Sequence, residues 1–396
     1  MKKFLSLKYL TSACFVGLLA LMLAGSLRPC YYTAYQTLQD IRNGQGFSID
    51  RITYLYNDSL PWKSTYITAN GAFQRLMGLR NVNDRYRLDN GQLTYVIPEM
   101  DVTVPVENTL AFRDALAEMG IPYGYVNTLF KLDPQDKQLP PGIADYSDRN
   151  ADRFLAALEE HNVPVLDLRR REQAQGLDHY SLYFVTDHHW TPEAGFWGYT
   201  QVAQWLESLD SSFGVNPVFT QESSYHHTVY EDIFCGSAAR RVGPLYAGLD
   251  DITVITPKFD TALTLTQSDL FRQGSYEETL LFYDHLTREN MLENAVYSVY
   301  LGEDQPEIRI CNQSRQQNLD PQSTPKRLLI LKDSSVLVLA PYLALSYDEV
   351  TLIDLRLFGG SLLDYIAQYQ PDMVLTIYNP GAFEAHNLAM FDFIRS

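Results

Sequence analysis

Beyond about residue 100 the apolar positions switch regularly between a helical and a strand period. VENTLAFRDALAEMG places Leu110, Phe112, Leu116 and Met119 at helical spacing and stops at Gly120, and IPYGYVNTLF then reads as a strand. After the LPPG breaker, DRNADRFLAALEEHN repeats the helix, with Asp148 near its start, and VPVLDL repeats the strand. Tyr180 to Val185 is aromatic and β-branched enough for another strand. Thr191-Pro192-Glu193 then opens an amphipathic helix, with Thr191 as N-cap and Pro192 in the first turn. From Asp210 to Pro325 the alternation breaks, which reads as an insertion. It holds a β pair in DITVITPKFDTALTLT, a helix in SYEETLLFYDHLTREN, and a loop from Gln305 to Pro325. Alternation resumes with a buried strand at Leu328 to Leu331, a helix from Ser335 to Ser346, the strand EVTLIDL, the helix SLLDYIAQYQ and the strand PDMVLTIYNP. Helix-and-strand alternation of this kind predicts a mostly parallel sheet covered on both faces, an α/β/α sandwich.

The chain begins differently. Lys2, Lys3 and Lys8 precede an apolar run from Tyr9 to about Leu27. That length borders between a cleaved signal peptide and a spanning helix, and the lysines keep the N-terminus in the cytoplasm and place the rest of the chain outside. Ala24-Gly25-Ser26 offers small residues for cleavage, while Cys30 lacks the small-residue setting of a lipoprotein; the favoured reading is an uncleaved anchor. Tyr31 to Arg80 reads as irregular and aromatic-rich with no assignable chemistry. RLDNGQLTYVIP, Arg87 to Pro98, joins a turn to a short β run. The expected divisions are a signal anchor or signal peptide over 1–28, an N-terminal region over 29–86, one folded domain in two parts over 87–209 and 326–396, and the insertion over 210–325.

The 396 residues, 46 % apolar and 13 % aromatic, can build a large core. A net charge of −17 without a basic tract argues against nucleic acid as a partner. Four cysteines, Cys14, Cys30, Cys235 and Cys311, form neither a disulfide framework nor a zinc spacing.

The candidate chemistry sits in TDHHWTPEAGFWGY and LLILKDSS. A serine hydroxyl becomes a useful nucleophile when an imidazole takes its proton and a carboxylate orients that imidazole. On extended backbone Asp187 and His189 point the same way while His188 points elsewhere. Ser334 lies at the end of a strand, where open α/β sheets place ligands. Each residue also has a plain reading: Asp187 as a helix cap with both histidines packed, Ser334 as an N-cap, and Ser335 as a competing nucleophile. A metal site from His188, His189, His226 and His227 is disfavoured, because adjacent histidines on extended backbone diverge and lack the helical spacing of common zinc motifs. No metal and no cofactor are expected. Asn379 in IYNP and the backbone amide of Ser334 or Ser335 are candidate oxyanion donors, each worth about 10²–10³ in rate when well placed. Arg356, Arg240, Arg241 and Trp190 are substrate-binding candidates, with a surface ion pair the alternative for Arg356 and a solvated basic turn for Arg240 and Arg241.

TDHHWTPEAGFWGY, LKDSS followed by LAPYLAL, and IDLR together resemble the DHHW proteins, which are similar to the AlgX/AlgJ-like branch of the SGNH hydrolase superfamily that handles O-acetylation of exported polysaccharides. The resemblance runs from about Arg87 to the C-terminus. It implies a flavodoxin-like α/β/α sandwich, a triad of Asp187, His189 and Ser334, and a motif order permuted relative to ordinary SGNH hydrolases, where the serine comes first. Two departures stand out. The position after the serine, usually aromatic in this family, is Ser335, and no carbohydrate-binding domain follows the sandwich, so the insertion or the N-terminal region must hold a polysaccharide. The resemblance implies an extracytoplasmic O-acetyltransferase with a cell-surface polysaccharide and a membrane-bound O-acyltransferase as partners. An acyl esterase using the same residues and a non-catalytic glycan-binding or assembly protein are the alternatives.

Overall fold

The computed structural model describes residues 2–44, 46–136, 138–317 and 325–394, with no side-chain detail for residues 2–8 and 18. The three N-terminal lysines of the anchor reading therefore lie outside the described side chains, as do residues 318–324 of the expected loop. The chain divides into two compact units, Met1–Phe73 and Gln74–Ser396.

In the first unit a single helix, Lys2–Arg42, runs through Pro29. An 18-residue stretch within its Tyr9–Arg42 portion has a mean hydropathy of 2.0 and is long and apolar enough to cross a membrane. A second helix, Ile49–Asp58, starts at Ser48, whose hydroxyl accepts from the Arg51 amide at 3.2 Å, and a third helix spans Lys63–Leu76. The expectation of irregular structure from Tyr31 onward is thus corrected. Tyr31, Tyr35 and Leu38 keep the helical period, and Pro29 removes only one internal hydrogen bond from a long helix.

The second unit opens with three short antiparallel strands, β1 (Asn81–Val82), β2 (Arg85–Arg87) and β3 (Leu93–Thr94). Its main sheet is built from β4 (Tyr123–Asn127) and β5 (Val165–Asp167), then, after a separate antiparallel pair of β6 (Tyr225–Phe234) and β7 (Asp250–Pro257), from β8 (Leu263–Gln267), β9 (Leu270–Gly274), β10 (Glu307–Asn312), β11 (Arg327–Lys332), β12 (Glu349–Ile353) and β13 (Met373–Tyr378). The order across the sheet is β5-β4-β13-β11-β12-β10-β8-β9. It is parallel from β5 to β12 and antiparallel from β10 outward.

Successive residues of β11 face opposite cores. Leu328 and Ile330 pack with Val202 and Leu206 of the helix Pro192–Leu209, while Leu329 and Leu331 pack with Phe112, Phe154 and Ile366 of the helices Thr103–Glu118, Ser147–Glu160 and Leu362–Tyr369. Burial on both faces is why this strand reads as an unbroken apolar run. The result is the α/β/α sandwich expected from the sequence.

Three local expectations change. Tyr180 to Val185 is not a strand: His179–Leu182 is a 3-10 turn, and the segment meets Trp190 only through one antiparallel bridge at Tyr183. The two halves of the expected β pair separate, DITVITP forming β7 against β6 and the LTLT stretch joining the main sheet as β8. Glu307–Asn312, read as loop, is the strand linking the insertion to β12. The insertion therefore extends the sheet by three strands.

Gly195 and Gly198 let the helix Pro192–Leu209 lie close to the segment after β11. A Cβ at Gly195 would sit 2.9 Å from the Val338 carbonyl oxygen, and one at Gly198 would sit 2.7 Å from the Trp190 ring. Gly195→Val is expected to cost about 1–3 kcal/mol by overpacking, with Gly195→Ala milder. Thermal melting of the two variants checks this, and a Gly195→Val protein as stable as wild type would contradict the close approach.

Candidate active site

The carboxyl ends of β4, β13 and β11 lie side by side where chain order reverses across the sheet, the usual place for a ligand crevice. Directly after β11, Asp333 caps a 3-10 turn, Ser334–Val338, by accepting from the Ser335 amide at 2.8 Å. Ser334, at the first position of that turn, is only partly buried. Its hydroxyl lies 2.7 Å from Nε2 of His189, and Nδ1 of the same imidazole lies 2.5 Å from Oδ1 of Asp187. The geometry thus joins Asp187, His189 and Ser334 in one hydrogen-bonded chain across 145 residues of sequence.

Each member is held from behind. Asp187 is 1 % exposed, and its carboxylate also accepts from the His189 amide at 2.9 Å and from the Ser237 amide. Burial acts to raise its carboxyl, but the imidazoles of His189 and His188 and these hydrogen bonds outweigh it and hold the group well below the usual carboxylate range. The His189 ring stacks on Tyr297, centroids 4.0 Å apart and planes 14° apart, which fixes the plane in which its two nitrogens lie. His188 does not turn away as alternation predicts: its ring centroid lies 3.9 Å from that of His189, and its Nδ1 lies 3.7 Å from Asp187 Oδ1 and 2.7 Å from the Ser237 hydroxyl. Burial and the His189 ring beside it push the His188 imidazole down to about 3, although 32 % of the side chain is exposed, so it is neutral at physiological pH.

The loop that presents Asp187 is gripped by two buried charges that sequence reasoning missed. Lys131, 1 % exposed, donates to the carbonyls of Phe184, Val185 and Asp187 at 2.5, 3.0 and 2.7 Å. Asp250, at the start of β7, accepts from the amides of Val185 and Thr186 at 2.8 and 2.7 Å and from the Thr186 hydroxyl at 2.6 Å. These contacts, together with the Leu93 amide donating to the Val185 carbonyl at 2.8 Å, satisfy backbone that no continuous partner strand covers. Gly236 completes the grip, because a Cβ there would run into the Thr186 carbonyl and Asp187. No spacing in the sequence marks Lys131, Asp250 or Tyr297 as neighbours of the DHHW stretch.

The other candidate residues divide. Asn379 follows β13, its amide donating to Asp333 Oδ2 at 2.6 Å and its own Oδ1 accepting from the Gly381 amide at 2.6 Å. Together with His189 and Ser335 it lines a small cavity. Ser335 is corrected as an oxyanion donor: its amide and its hydroxyl both donate to Asp333, at 2.8 and 2.5 Å. The Ser334 amide, first in the turn, has no intrahelical partner. Trp190 is corrected as a substrate contact, since it is 2 % exposed and its indole donates to the Ser335 carbonyl at 2.8 Å, bracing the turn from below. Arg356 is corrected likewise: it pairs with Asp354 and, at 2.9 Å, with Asp304, around the fully buried Lys332. Arg240 and the exposed Arg241 lie on the helix Ser237–Val242, whose first amide holds Asp187.

The four-histidine metal site does not assemble. His226 and His227 are exposed on β6, and the grouping that does gather is Asp187, His188 and His189, with ligand atoms within 4.8 Å of one another. Both Asp187 oxygens and Nδ1 of each histidine already have hydrogen-bond partners, an arrangement suited to proton transfer rather than to a cation.

Burial lowers the Lys131 ammonium to about 7, against the opposing pull of Asp250 and Asp187. Because its folded value lies below its unfolded one, unfolding takes up a proton between these values, and the cost of burying the charge, full below about pH 7, is relieved as pH rises. Relative to Lys131→Met, the wild type is expected to gain about 1.4 kcal/mol of stability per pH unit between about pH 7 and 10. Denaturant melts of both proteins across that range check this, and a flat difference would contradict it.

Residues 106–227 match the family model of the SGNH hydrolase-like domain, acetyltransferase AlgX, a stretch that contains Asp187 and His189 but not Ser334. No curated protein matches the chain. Among solved structures, Bacillus cereus PatB1 is similar at a TM-score of 0.61 and 22 % identity, covering 78 % of this chain and 99 % of that one. PatB1 with a sulfonyl adduct is similar at 0.60 and 21 %, covering 78 % and 97 %. A DHHW family protein from Eubacterium siraeum is similar at 0.55 and 16 %, covering 79 % and 95 %. At these identities the likeness shows the fold. The resemblance read from the sequence holds to this extent: residues 106–227, with the DHHW motif, match the SGNH hydrolase-like domain model of AlgX, and the chain is similar in fold to a DHHW family protein.

Proposed function

We propose that the protein is an O-acetyltransferase that acts outside the membrane on a cell-surface polysaccharide, through an acyl group carried on Ser334. The observation that carries this reading is the hydrogen-bonded chain from Ser334 through His189 to Asp187. His189 takes the Ser334 proton on Nε2 as the hydroxyl attacks the acyl carbonyl, and Asp187 stabilises the resulting imidazolium. In the second half-reaction His189 deprotonates a sugar hydroxyl, which attacks the acyl-serine and restores Ser334. The AlgX-type domain over 106–227 supports acetyl as the acyl group. The apolar helix Tyr9–Arg42 supports a membrane tether, which would put the enzyme beside a membrane-bound acyltransferase able to supply that group. In this reading 87–209 and 326–396 form the catalytic domain, and Arg240 and Arg241 contact the polysaccharide.

The test is turnover of an activated acetyl ester with and without an oligosaccharide acceptor. Acetylated acceptor, with little free acetate, is expected from the wild type. Ser334→Ala and His189→Ala are expected to lose at least about 10³-fold in kcat, their losses not adding in the double variant. His188→Ala is expected to stay within about tenfold. Ser335→Ala is expected to remain active at a cost of about 1–3 kcal/mol in stability, since it strips a hydrogen bond from buried Asp333. Free acetate in place of acetylated acceptor would make the protein an esterase, and a folded wild type without turnover would leave glycan binding without catalysis.

A further inference from the structure

The strands β4, β13 and β11 end in Asn127, Tyr378 and Lys332. Asn127 pairs with Tyr378, and Lys332 with Ile377. One further step along β4 and β13, and two along β11, bring Thr128, Asn379 and Ser334 into one row, with neighbouring strands about 4.8 Å apart. Thr128 is fixed in that row by its amide, which donates to the Tyr378 carbonyl at 2.9 Å. The small cavity beside His189 opens here, walled also by Thr128, Leu129, Phe130 and Tyr183, with room for about one water-sized group.

Thr128 is 1 % and Tyr183 5 % exposed, and neither hydroxyl has a hydrogen-bond partner among the described residues. Buried hydroxyls are nearly always paired, so two unpaired ones at a single cavity call for a ligand that pairs them. Two unpaired hydroxyls beside the imidazole of His189, at a space of this size, fit a single strong acceptor atom such as a carbonyl oxygen.

We propose that the hydroxyls of Thr128 and Tyr183 are catalytic groups that donate to the carbonyl oxygen of the acyl group during its transfer to Ser334. The inference rests on the acyl-serine reading above. As Ser334 Oγ bonds to the carbonyl carbon, its proton passes to His189 Nε2 and the carbonyl electron pair moves onto oxygen, where the two hydroxyls meet it. Collapse re-forms the carbonyl and breaks the bond to the donor's leaving oxygen, which takes the proton back from His189. Burial, with the Glu172 charge added, holds the Tyr183 phenol far above its usual range, so it remains a donor throughout.

Thr128→Val and Tyr183→Phe remove each hydroxyl while keeping the shape of its side chain. With an activated acetyl ester and the full-length protein, each is expected to lower kcat at least about tenfold with KM within about twofold, and Thr128→Ser is expected to restore activity. Wild-type kcat in both variants, with Ser334→Ala inactive, would overturn this inference and leave the acyl-serine reading standing. A loss that tracks a fall in melting temperature and is not restored by Thr128→Ser would also overturn it. A wild type with no turnover would overturn both.

Discussion

A carboxylate that is 1 % exposed survives inside a protein only if its charge is met from several directions, and the burial of Asp187 sets the terms for everything around it. It accepts from the backbone of His189, from the imidazole of His189 and from the first amide of the helix Ser237–Val242. Its own backbone is held in place by Lys131 on the carbonyl side and Asp250 on the amide side. Lys131 comes from the segment after β4, and Asp250 and Ser237 come from residues 210–325, so that stretch contributes directly to the site through their contacts with the DHHW loop.

The serine side is built by a different device. Asp333 spends one oxygen on the amide and hydroxyl of Ser335 and the other on the amide of Asn379, which ties the end of β11 to the end of β13. Burial raises the Asp333 carboxyl, and these hydrogen bonds oppose the rise. Trp190, next in sequence to His189, donates to the Ser335 carbonyl, so the two motifs are linked by an indole as well as by the Ser334 to His189 contact. Ser334 is the residue of KDSS left facing His189, because both polar groups of Ser335 are occupied below it.

Periodicity and local capping account for the parts of the structure that are legible in the sequence. The layer order, the N-cap at Thr191 and the strands β4, β5, β11, β12 and β13 all come from apolar spacing or turn chemistry, and the structure has them. The expected divergence of His188 from His189 fails together with the strand before them, since on this bent backbone the two rings lie 3.9 Å apart. That strand failed because side chains from distant segments, Lys131 and Asp250, satisfy the backbone that a neighbouring strand would otherwise satisfy. Neither residue carries a local signal of that role. Glu307–Asn312 was missed because its partners lie on either side in space and its pattern is short and interrupted by charge. Trp190 and Arg356 looked available on composition, but an indole beside a tight turn and a guanidinium between Asp354 and Asp304 are both taken up by the fold.

The proposed chemistry rests on one atom, the Oγ of Ser334, activated through His189 and Asp187. Incubating the protein with an activated acetyl ester, quenching in acid and mapping the modified peptide by mass spectrometry tests that atom directly. An acyl-serine mechanism predicts one acetyl group on Ser334 in the wild type, and none at this turn in Ser334→Ala or His189→Ala. Acetyl found instead on Ser335, or no acetyl on the turn in a folded wild-type protein, would contradict it.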